Sequence, residues 1–415
     1  MAPNPDERLL VDLLDSSHVM SMQQIPDVVG ELAARAGYRD VLIYITDLQQ
    51  NVLRLLTGRD HAAPHPGDDP REMRIEGTVA GRAFQNVAVV RAASGDGGCG
   101  VWWVPILEGI ERAGVLRVTV DDERDVTPRL WRLASLIGLI MSSKRPFSDT
   151  HARLVRSHPM TVSAELQWRQ MPPRTFANDR VVIGAVLEPA YDLGGDAFDY
   201  GLAGDVVHLA VFDAMGHDTT SGLTANLAVA TCRNSRLRGD DLIRTGEVID
   251  KELERQFAST SYVTALIAEL DTRTGLLSWT NHGHPPPVVI RNGRWVTTLK
   301  CPPAAPLGTG LGGGAQVCKE QLEPGDRMLL YTDGIIEARD SGGQEFGLQR
   351  FVDFIIRRNA DGLPVPETLR RLVRSILAHH VGRLDDDATV LLLEWRGPTT
   401  GVPPGLIPGP LLEGG

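Results

Sequence analysis

Acidic residues stand at the ends of several apolar, strand-forming runs, and this pattern constrains the fold most. The acids are Asp213 after VVHLAVF, Asp333 after MLLYT, and Asp386 and Asp387 before ATVLLLE. Short runs rich in aliphatic and β-branched residues predict buried strands. Carboxylates gathered at the rim of a sheet suit Mg²⁺ or Mn²⁺, because these cations prefer oxygen ligands. The sequence therefore predicts a sheet protein with a metal site at one rim.

Composition narrows the class of protein. The 415 residues are 42% hydrophobic and 23% charged, which is typical of a soluble globular chain long enough for two domains. A net charge of −11 disfavours nucleic acid as a partner. The start MAPNPDERLL lacks the pattern of a signal peptide, and residues 130–141 fall short of the ~20 residues of a membrane span. We expect a cytoplasmic protein with no membrane partner.

The spacing of the cysteines also favours a cytoplasmic protein. Cys99, Cys232, Cys301 and Cys318 lack the CxxC spacing of a metal or redox motif. Four such cysteines fit a reducing cytoplasm.

The first 143 residues predict an α+β sheet domain. Helical spacing covers residues 9–37, and a short helix is expected at 77–86 and a long one at 128–143. Strands are expected at 41–46, 52–57, 87–92, 101–107 and 113–120, with a polar loop at 58–70. Alternating helices and strands of this kind form a sheet covered by helices.

Three fragments of this region resemble a GAF domain: GTVAGRAF, VPIL and GVLRV, the last before the long helix. The resemblance implies a sensory or dimerising module with a small ligand over the sheet. A scaffold with an apolar interior and no ligand remains the alternative.

Residues 144–173 predict a helical linker, in which AELQWRQMPP is a helix stopped by two prolines. Such a helix between a sensor and an enzyme either pairs with its twin in a homodimer or packs on its own domain. The sequence leaves both open.

Residues 174–396 predict a second domain, of two stacked antiparallel sheets with helices outside. Strands are expected at 181–190, 197–204 and 206–212, followed by helices at 221–237 and 242–257, four more strands, two amphipathic helices and a final strand. Asn292–Gly293 is a favourable hairpin turn. The Pro- and Gly-rich residues 397–415 predict a disordered tail.

Five fragments in this second region share one order with a known family. They are GGDAFD, D-x-x-GH, T-N-x-GHPP, PGDRMLLYTDGIIEA and DDATVLLLE, spread over about residues 165–395. Together they resemble PPM-type (2C-type) metal-dependent serine/threonine phosphatases, especially the SpoIIE/RsbU branch. The resemblance implies an α-β-β-α sandwich that hydrolyses phosphoserine or phosphothreonine on a protein, with two Mn²⁺ or Mg²⁺ ions activating a water between them. Within the branch, it implies a phosphorylated anti-sigma-factor antagonist as substrate and control by the N-terminal domain.

The resemblance also assigns residues. Asp213 would bridge both ions, and Asp333 and Asp386 would hold the first; these three are the implied catalytic residues. The Ala214 carbonyl would serve the second ion, which Asp196 would help to position. Four glycines of the motifs would let backbone approach the ions closely: Gly194, Gly195, Gly216 and Gly334.

Several positions depart from the family. Asp192 adds a carboxylate before GGD, as an extra ligand or as a solvated turn residue, and Asp218 replaces a glycine. Met215 stands where eukaryotic members place a histidine proposed as general acid, so the acid is unassigned.

Histidines supply a weaker signal. His282 and His284 share one face of a predicted strand, as a metal-binding pair would. The family has only the second, so we expect His284 to be a structural hydrogen-bonder and His282 to be exposed. His217 is expected to brace the Asp213 loop.

Two other functions stay open at this point. One is a catalytically inactive, phosphatase-like regulatory binding protein, which the retention of all four motif aspartates disfavours. The other is a small-molecule phosphomonoesterase, which the motifs do not distinguish from a protein phosphatase.

Overall fold

The computed structural model describes residues 4–58, 70–92, 100–192, 194–216, 218–291, 293–339, 342–360, 363–379, 384 and 386–398. The chain divides into two compact units, the first ending at His158 and the second beginning at Pro159. Within the described residues, no helix has the length and apolar character needed to cross a bilayer.

The first unit is one six-stranded sheet with helices on both faces. Its helices are α1 (Pro5–Ser17), α2 (Ile25–Arg35), α3 (Val79–Asn86), α4 (Val126–Lys144) and α5 (Asp149–Val155). Its strands are β1 (Tyr38–Thr46), β2 (Val52–Leu55), β3 (Glu72–Arg74), β4 (Val90–Arg91), β5 (Gly100–Glu108) and β6 (Glu111–Val120). The sheet has the order β3-β2-β1-β6-β5-β4, with antiparallel pairing throughout.

The sheet-and-helix prediction for this unit is confirmed, with local corrections. Residues 9–37 form two helices instead of one, because Pro26 fits the first turn of α2 but not a helix interior. The strand expected at 87–92 is limited to β4, since Val87 takes a left-handed conformation at the end of α3. Most of the loop expected at 58–70, and Cys99, lie outside the described residues.

The second unit contains six helices and eleven strands among the described residues. Its helices are α6 (Val162–Gln170), α7 (Thr219–Arg238), α8 (Leu242–Phe257), α9 (Asp333–Glu337), α10 (Leu348–Ala360) and α11 (Val365–His379). Its strands are β7 (Thr175–Ala177), β8 (Val181–Glu188), β9 (Asp196–Ala203), β10 (Val206–Ala214), β11 (Val263–Asp271), β12 (Leu276–His282), β13 (Val288–Arg291), β14 (Arg294–Thr298), β15 (Cys318–Gln321), β16 (Arg327–Tyr331) and β17 (Ala388–Trp395).

These strands form two antiparallel sheets with the orders β15-β12-β11-β10-β9 and β14-β13-β16-β17-β8-β7. Aliphatic and aromatic side chains of both sheets make one buried core, including Phe198 and Leu266 from the first and Ile183 and Leu391 from the second. Helices α7 and α8 cover the five-stranded sheet. On the other side, Gly184 of β8 leaves room for side chains of α11. The predicted α-β-β-α sandwich is confirmed.

The short elements β7, β15 and α9 were not predicted, and Asn292 of the expected hairpin turn lies outside the described residues. The cysteine prediction is wrong for one pair: Cys301 and Cys318 form a disulfide, with their Cα atoms 5.8 Å apart. Sequence spacing could not reveal the pair, because the chain between them returns to the edge strand β15. Cys232 is a buried free thiol.

Candidate metal centre

The strand ends bring the predicted acids together at one rim of the sandwich. Asp196 and Asp213 lie directly opposite each other on the paired strands β9 and β10. Asp333 follows β16, and Asp386 precedes its antiparallel neighbour β17. Because β16 ends where β17 begins, these two acids share a rim of the six-stranded sheet. Each sheet therefore contributes two of the four predicted carboxylates.

Asp213 is the acid on which the others converge. Burial, followed by the negative charges of Asp333, Asp386 and Asp387, raises its pKa to about 7. A hydrogen bond with Thr264 of β11 opposes this shift. A carboxyl group with three acidic neighbours is a position where a bound cation would relieve repulsion.

Asp196 is completely buried but makes strong hydrogen bonds to the opposite sheet. Its Oδ2 accepts bonds from the hydroxyls of Thr332 (2.6 Å) and Thr389 (2.7 Å). Burial first, then the charges of Asp213 and Asp387, raises its pKa well above the usual range. The two threonines fix the orientation of this carboxyl without neutralising it. Sequence reasoning did not identify either one.

Asp387 has a supporting role that the sequence did not reveal. Its Oδ2 accepts hydrogen bonds from three successive backbone N–H groups, of Gly194 (2.8 Å), Gly195 (2.7 Å) and Asp196 (3.2 Å). Burial raises the pKa of this carboxyl, and the three N–H donors oppose the rise. The only sequence signal was its place beside Asp386 at the start of a strand.

Asp333 and Asp386 complete the group. Burial and the charge of Asp386 raise the pKa of Asp333. Asp386 is exposed, and its Oδ1 accepts a hydrogen bond from the backbone N–H of Asp387 (2.8 Å). The site is therefore enclosed at Asp196 and open to solvent at Asp386.

Two glycines permit close contacts of backbone around these acids. A Cβ atom on Gly195 would lie 2.3 Å from the carbonyl oxygen of Ala214, and one on Gly334 would lie 1.9 Å from that of Asp387. The N–H of Ala214 donates to the Gly195 carbonyl (3.0 Å). Substitution at either glycine would therefore displace the backbone that orients the acids.

The donor set fits divalent cations. In the described part of the chain, no lysine or arginine is among the strongest influences on the pKa of Asp196, Asp213, Asp333 or Asp387. Buried carboxylates without a basic partner are costly unless a cation binds them. Among the described residues, no group of three or more His, Cys, Asp and Glu side chains already has the arrangement of a metal site. A cation bound at this rim would therefore need the carboxylates to turn toward it.

Of the histidine predictions, one is confirmed, one is wrong, and one concerns a residue outside the described part of the chain. His284 is a structural hydrogen-bonder as expected: its ring pairs with Thr264 Oγ1 (2.9 Å) and with the Tyr331 carbonyl (3.1 Å). His282 was expected to be exposed, which is wrong. It is 3% exposed, because Gly246 of α8 leaves room for its ring. His217 lies outside the described residues.

The structure shows where the residues that depart from the family pattern lie. Asp192 is an exposed turn residue, and Met215 is 48% exposed beside the rim. Asp218 begins α7, where its Oδ1 accepts a hydrogen bond from the N–H of Ser221 (2.9 Å). Loss of the family glycine therefore adds a helix cap.

This chain is similar to several known proteins. Residues 203–396 match the family model of stage II sporulation protein E (SpoIIE). Protein IcfG of Synechocystis is 24% identical over 245 residues, covering 52% of this chain and 38% of IcfG. Phosphoserine phosphatase RsbU of Bacillus subtilis is 20% identical over 242 residues, covering 56% of this chain and 68% of RsbU. The chain thus spans well under half of IcfG.

Among solved structures, the RsbU and RsbW domains of Rv1364c from Mycobacterium tuberculosis align with 26% identity and a TM-score of 0.45. The alignment covers 53% of this chain and 61% of that one.

An antiparallel double-sheet sandwich with converging acids at one rim defines a PPM-type (2C-type) phosphatase domain. Within that class, residues 203–396 match the SpoIIE family model, which is a little under half of the chain.

Proposed function

We propose that this chain is a metal-dependent phosphatase that hydrolyses phosphoserine or phosphothreonine on a protein. The observation that supports this most directly is the convergence of Asp196, Asp213, Asp333 and Asp386 at one rim. The strongest influences on the pKa of Asp196, Asp213 and Asp333 are burial and other carboxylates, with no described basic side chain among them, whereas a purely structural cluster would be expected to include one.

The proposed ligands follow from the positions of the acids. Asp213 would contact two Mn²⁺ or Mg²⁺ ions, Asp333 and Asp386 would hold one of them, and Asp196 and the Ala214 carbonyl would serve the other. Bound ions of this kind supply Lewis acidity, a more acidic water and charge stabilisation for the phosphoryl group. Thr332 and Thr389 orient Asp196, and Asp387 holds the backbone that precedes it.

We further propose a phosphorylated protein of the anti-sigma-factor antagonist type as substrate. Support comes from the relatives: RsbU is named as a phosphoserine phosphatase, and the M. tuberculosis protein contains RsbU and RsbW domains. The exposed side of the site, at Asp386 and Met215, suits a phosphorylated side chain presented on a partner surface.

Phosphate release tests the proposed activity. With Mn²⁺, the wild type is expected to hydrolyse a phosphoserine peptide, and Asp213→Asn to lose at least about 100-fold in turnover because the shared ligand is removed. Asp271→Asn is the matched control, since Asp271 lies at the other end of the same sheet, opposite Val206. Release from p-nitrophenyl phosphate alone would favour a small-molecule phosphomonoesterase. No release with either ion would favour a regulatory binding protein.

We also propose that helix α6 links regulation to this site and contributes to a homodimer. One face of α6 is buried on its own unit, and the other exposes Val162 and Leu166, one turn apart. An exposed apolar pair of this kind supports pairing with a second copy. Leu166→Ser should then shift the full chain toward monomer in light scattering, and Leu166→Pro should alter turnover more than Mn²⁺ affinity. Equal loss of both in Leu166→Pro would mean that α6 is simply part of the catalytic fold.

A further inference from the structure

Gln167 of α6 is fully buried and contacts the backbone that precedes Asp196. Its side-chain Nε2 donates hydrogen bonds to the carbonyl of Gly194 (3.2 Å) and to the carbonyl of Asp196 (2.9 Å). One side-chain amide of α6 therefore contacts two carbonyls of a segment that lies 27 to 29 positions further along the chain.

The orientation of this amide is fixed by its surroundings. A flipped amide would place Oε1 against two carbonyl oxygens, which only accept hydrogen bonds. In the observed orientation, Oε1 is buried without a hydrogen-bond partner among the described residues. Burying an acceptor without a partner is unfavourable, so the two donated bonds must outweigh that cost for the side chain to stay.

The contact completes the hydrogen bonding of the segment from Gly194 to Asp196. Asp387 accepts from all three N–H groups of the segment, and Ala214 donates to its middle carbonyl. Gln167 supplies the donors for the other two carbonyls. All six backbone groups are thus paired, and among the partners that the described residues provide, Gln167 is the one that comes from a helix.

Close packing of α6 supports the same contact. A Cβ on Gly222 of α7 would lie 1.9 Å from Ser163 Oγ and 3.0 Å from the Gly194 carbonyl. The absence of a side chain at Gly222 therefore lets α6 approach both α7 and this segment.

We propose that Gln167 is a positioning residue for the metal centre: it holds the 194–196 backbone so that Asp196 and Ala214 face the second cation. This inference rests on the proposed function, since it requires the carboxylates to bind cations. It predicts that docking of α6 and binding of the cation stabilise each other, because coupling between two sites is reciprocal.

Calorimetric titration of Mn²⁺ into the full chain tests the proposal without measuring turnover. Gln167→Met fills the same space but cannot donate, and should weaken Mn²⁺ affinity by about ten-fold, as residues that orient metal ligands do. Saturating Mn²⁺ should restore most of its turnover. Gln170→Met is the matched control on the same helix, because Gln170 donates to the Asn226 carbonyl of α7 instead (2.7 Å). It should stay within about two-fold of the wild-type affinity.

Two results distinguish a failure of this inference from a failure of the proposed function. Unchanged Mn²⁺ affinity in Gln167→Met, with the same loss of melting temperature as in Gln170→Met, would overturn the positioning role and leave the proposed function intact. A wild type that binds no Mn²⁺ would overturn both.

Hydrogen exchange on the wild type covers the case in which Gln167→Met does not fold. Saturating Mn²⁺ should slow exchange of the α6 amides several-fold, and leave those of α11 unchanged. Slower exchange in β10 with no change in α6 would contradict the coupling.

Discussion

Strand β9 presents two buried aspartates, three residues apart, in opposite electrostatic situations. Asp199 pairs with two arginines of α7: its oxygens lie 2.7 Å from Arg233 Nη2 and 2.8 Å from Arg236 Nη1. Asp196 is equally buried, but its carboxyl accepts hydrogen bonds from two threonine hydroxyls and faces other carboxylates. One strand thus contains a neutralised carboxylate and a carboxylate without its own counter-ion.

The difference separates a structural acid from the proposed ligand acids. At Asp199, the sequence itself supplies the positive charge, so the pair is complete once the chain has folded. At Asp196 and Asp213, the raised pKa values mean that the charge is relieved by a proton or, as proposed, by a cation from solution. A buried carboxylate that lacks a basic partner is therefore a better indicator of a metal site than burial or acidity alone.

Replacing the neutralised acid should have the largest effect on stability. Asp199→Asn leaves two partly buried guanidinium groups without their carboxylate, and should lower the free energy of unfolding by about 3–5 kcal/mol. Urea denaturation measures this, with Asp205→Asn as control, because Asp205 and Arg180 form a more exposed pair worth at most about 1 kcal/mol. Mn²⁺ affinity of the folded Asp199→Asn protein should be retained. An effect no larger than that of Asp205→Asn would remove the contrast between the two acids.

Without metal, the acids of the proposed centre should instead reduce stability as pH rises. The folded pKa of Asp213 is about 7 against 3.8 for an unperturbed group, so the folded state binds this proton more tightly than the unfolded state. Stability is then lost as pH rises from about 4 through about 7. In EDTA, the free energy of unfolding of the wild type relative to Asp213→Asn should fall by about 1–3 kcal/mol between pH 5 and pH 8. The comparison with the variant is needed because burial lowers the pKa of His282 and His284 to about 4, which makes stability rise with pH in the lower part of this range.

Asp213→Asn should remove the part of this slope that Asp213 contributes, and saturating Mn²⁺ should also flatten it. Asp271→Asn should leave it unchanged. The same pH dependence in the metal-free wild type and in Asp213→Asn would show that the acids do not repel one another in solution.

The smallest expected effect concerns the hydroxyls that orient Asp196. Thr389→Val keeps the shape of the side chain but removes one donor, worth about 1 kcal/mol, so Mn²⁺ affinity should fall about five-fold. Thr389→Ser keeps the hydroxyl and should bind nearly as the wild type does. Equal affinities of the two variants in calorimetry would mean that Thr332 alone orients the carboxyl.

The sequence predicted the sandwich and predicted that four acids at strand ends would share one rim, because strand periodicity and strand ends are local properties. It did not predict that Asp387 holds the 194–196 backbone, nor that Thr332, Thr389 and Gln167 support the same region. Those roles depend on which elements meet after folding. Spacing along the chain cannot show, for example, that the Asp387 carboxylate contacts the backbone of Gly194, 193 positions away.

The two histidines show the same limit. His282 and His284 have similar local sequence, but Gly246 on a separate helix decides that the first is buried. The Cys301–Cys318 disulfide likewise depends on the return of the chain to an edge strand. In each case, the missing information is the identity of a neighbour from another element.

The placement of two acids on each sheet has a mechanical consequence. A cation bound by Asp213 and Asp333 would join the two layers of the sandwich at one edge, as a cross-link that forms after folding and can be withdrawn. Chelation would then loosen that edge while the apolar interior stays intact. Limited proteolysis should detect this as new cleavage near the rim, with the opposite edge still protected.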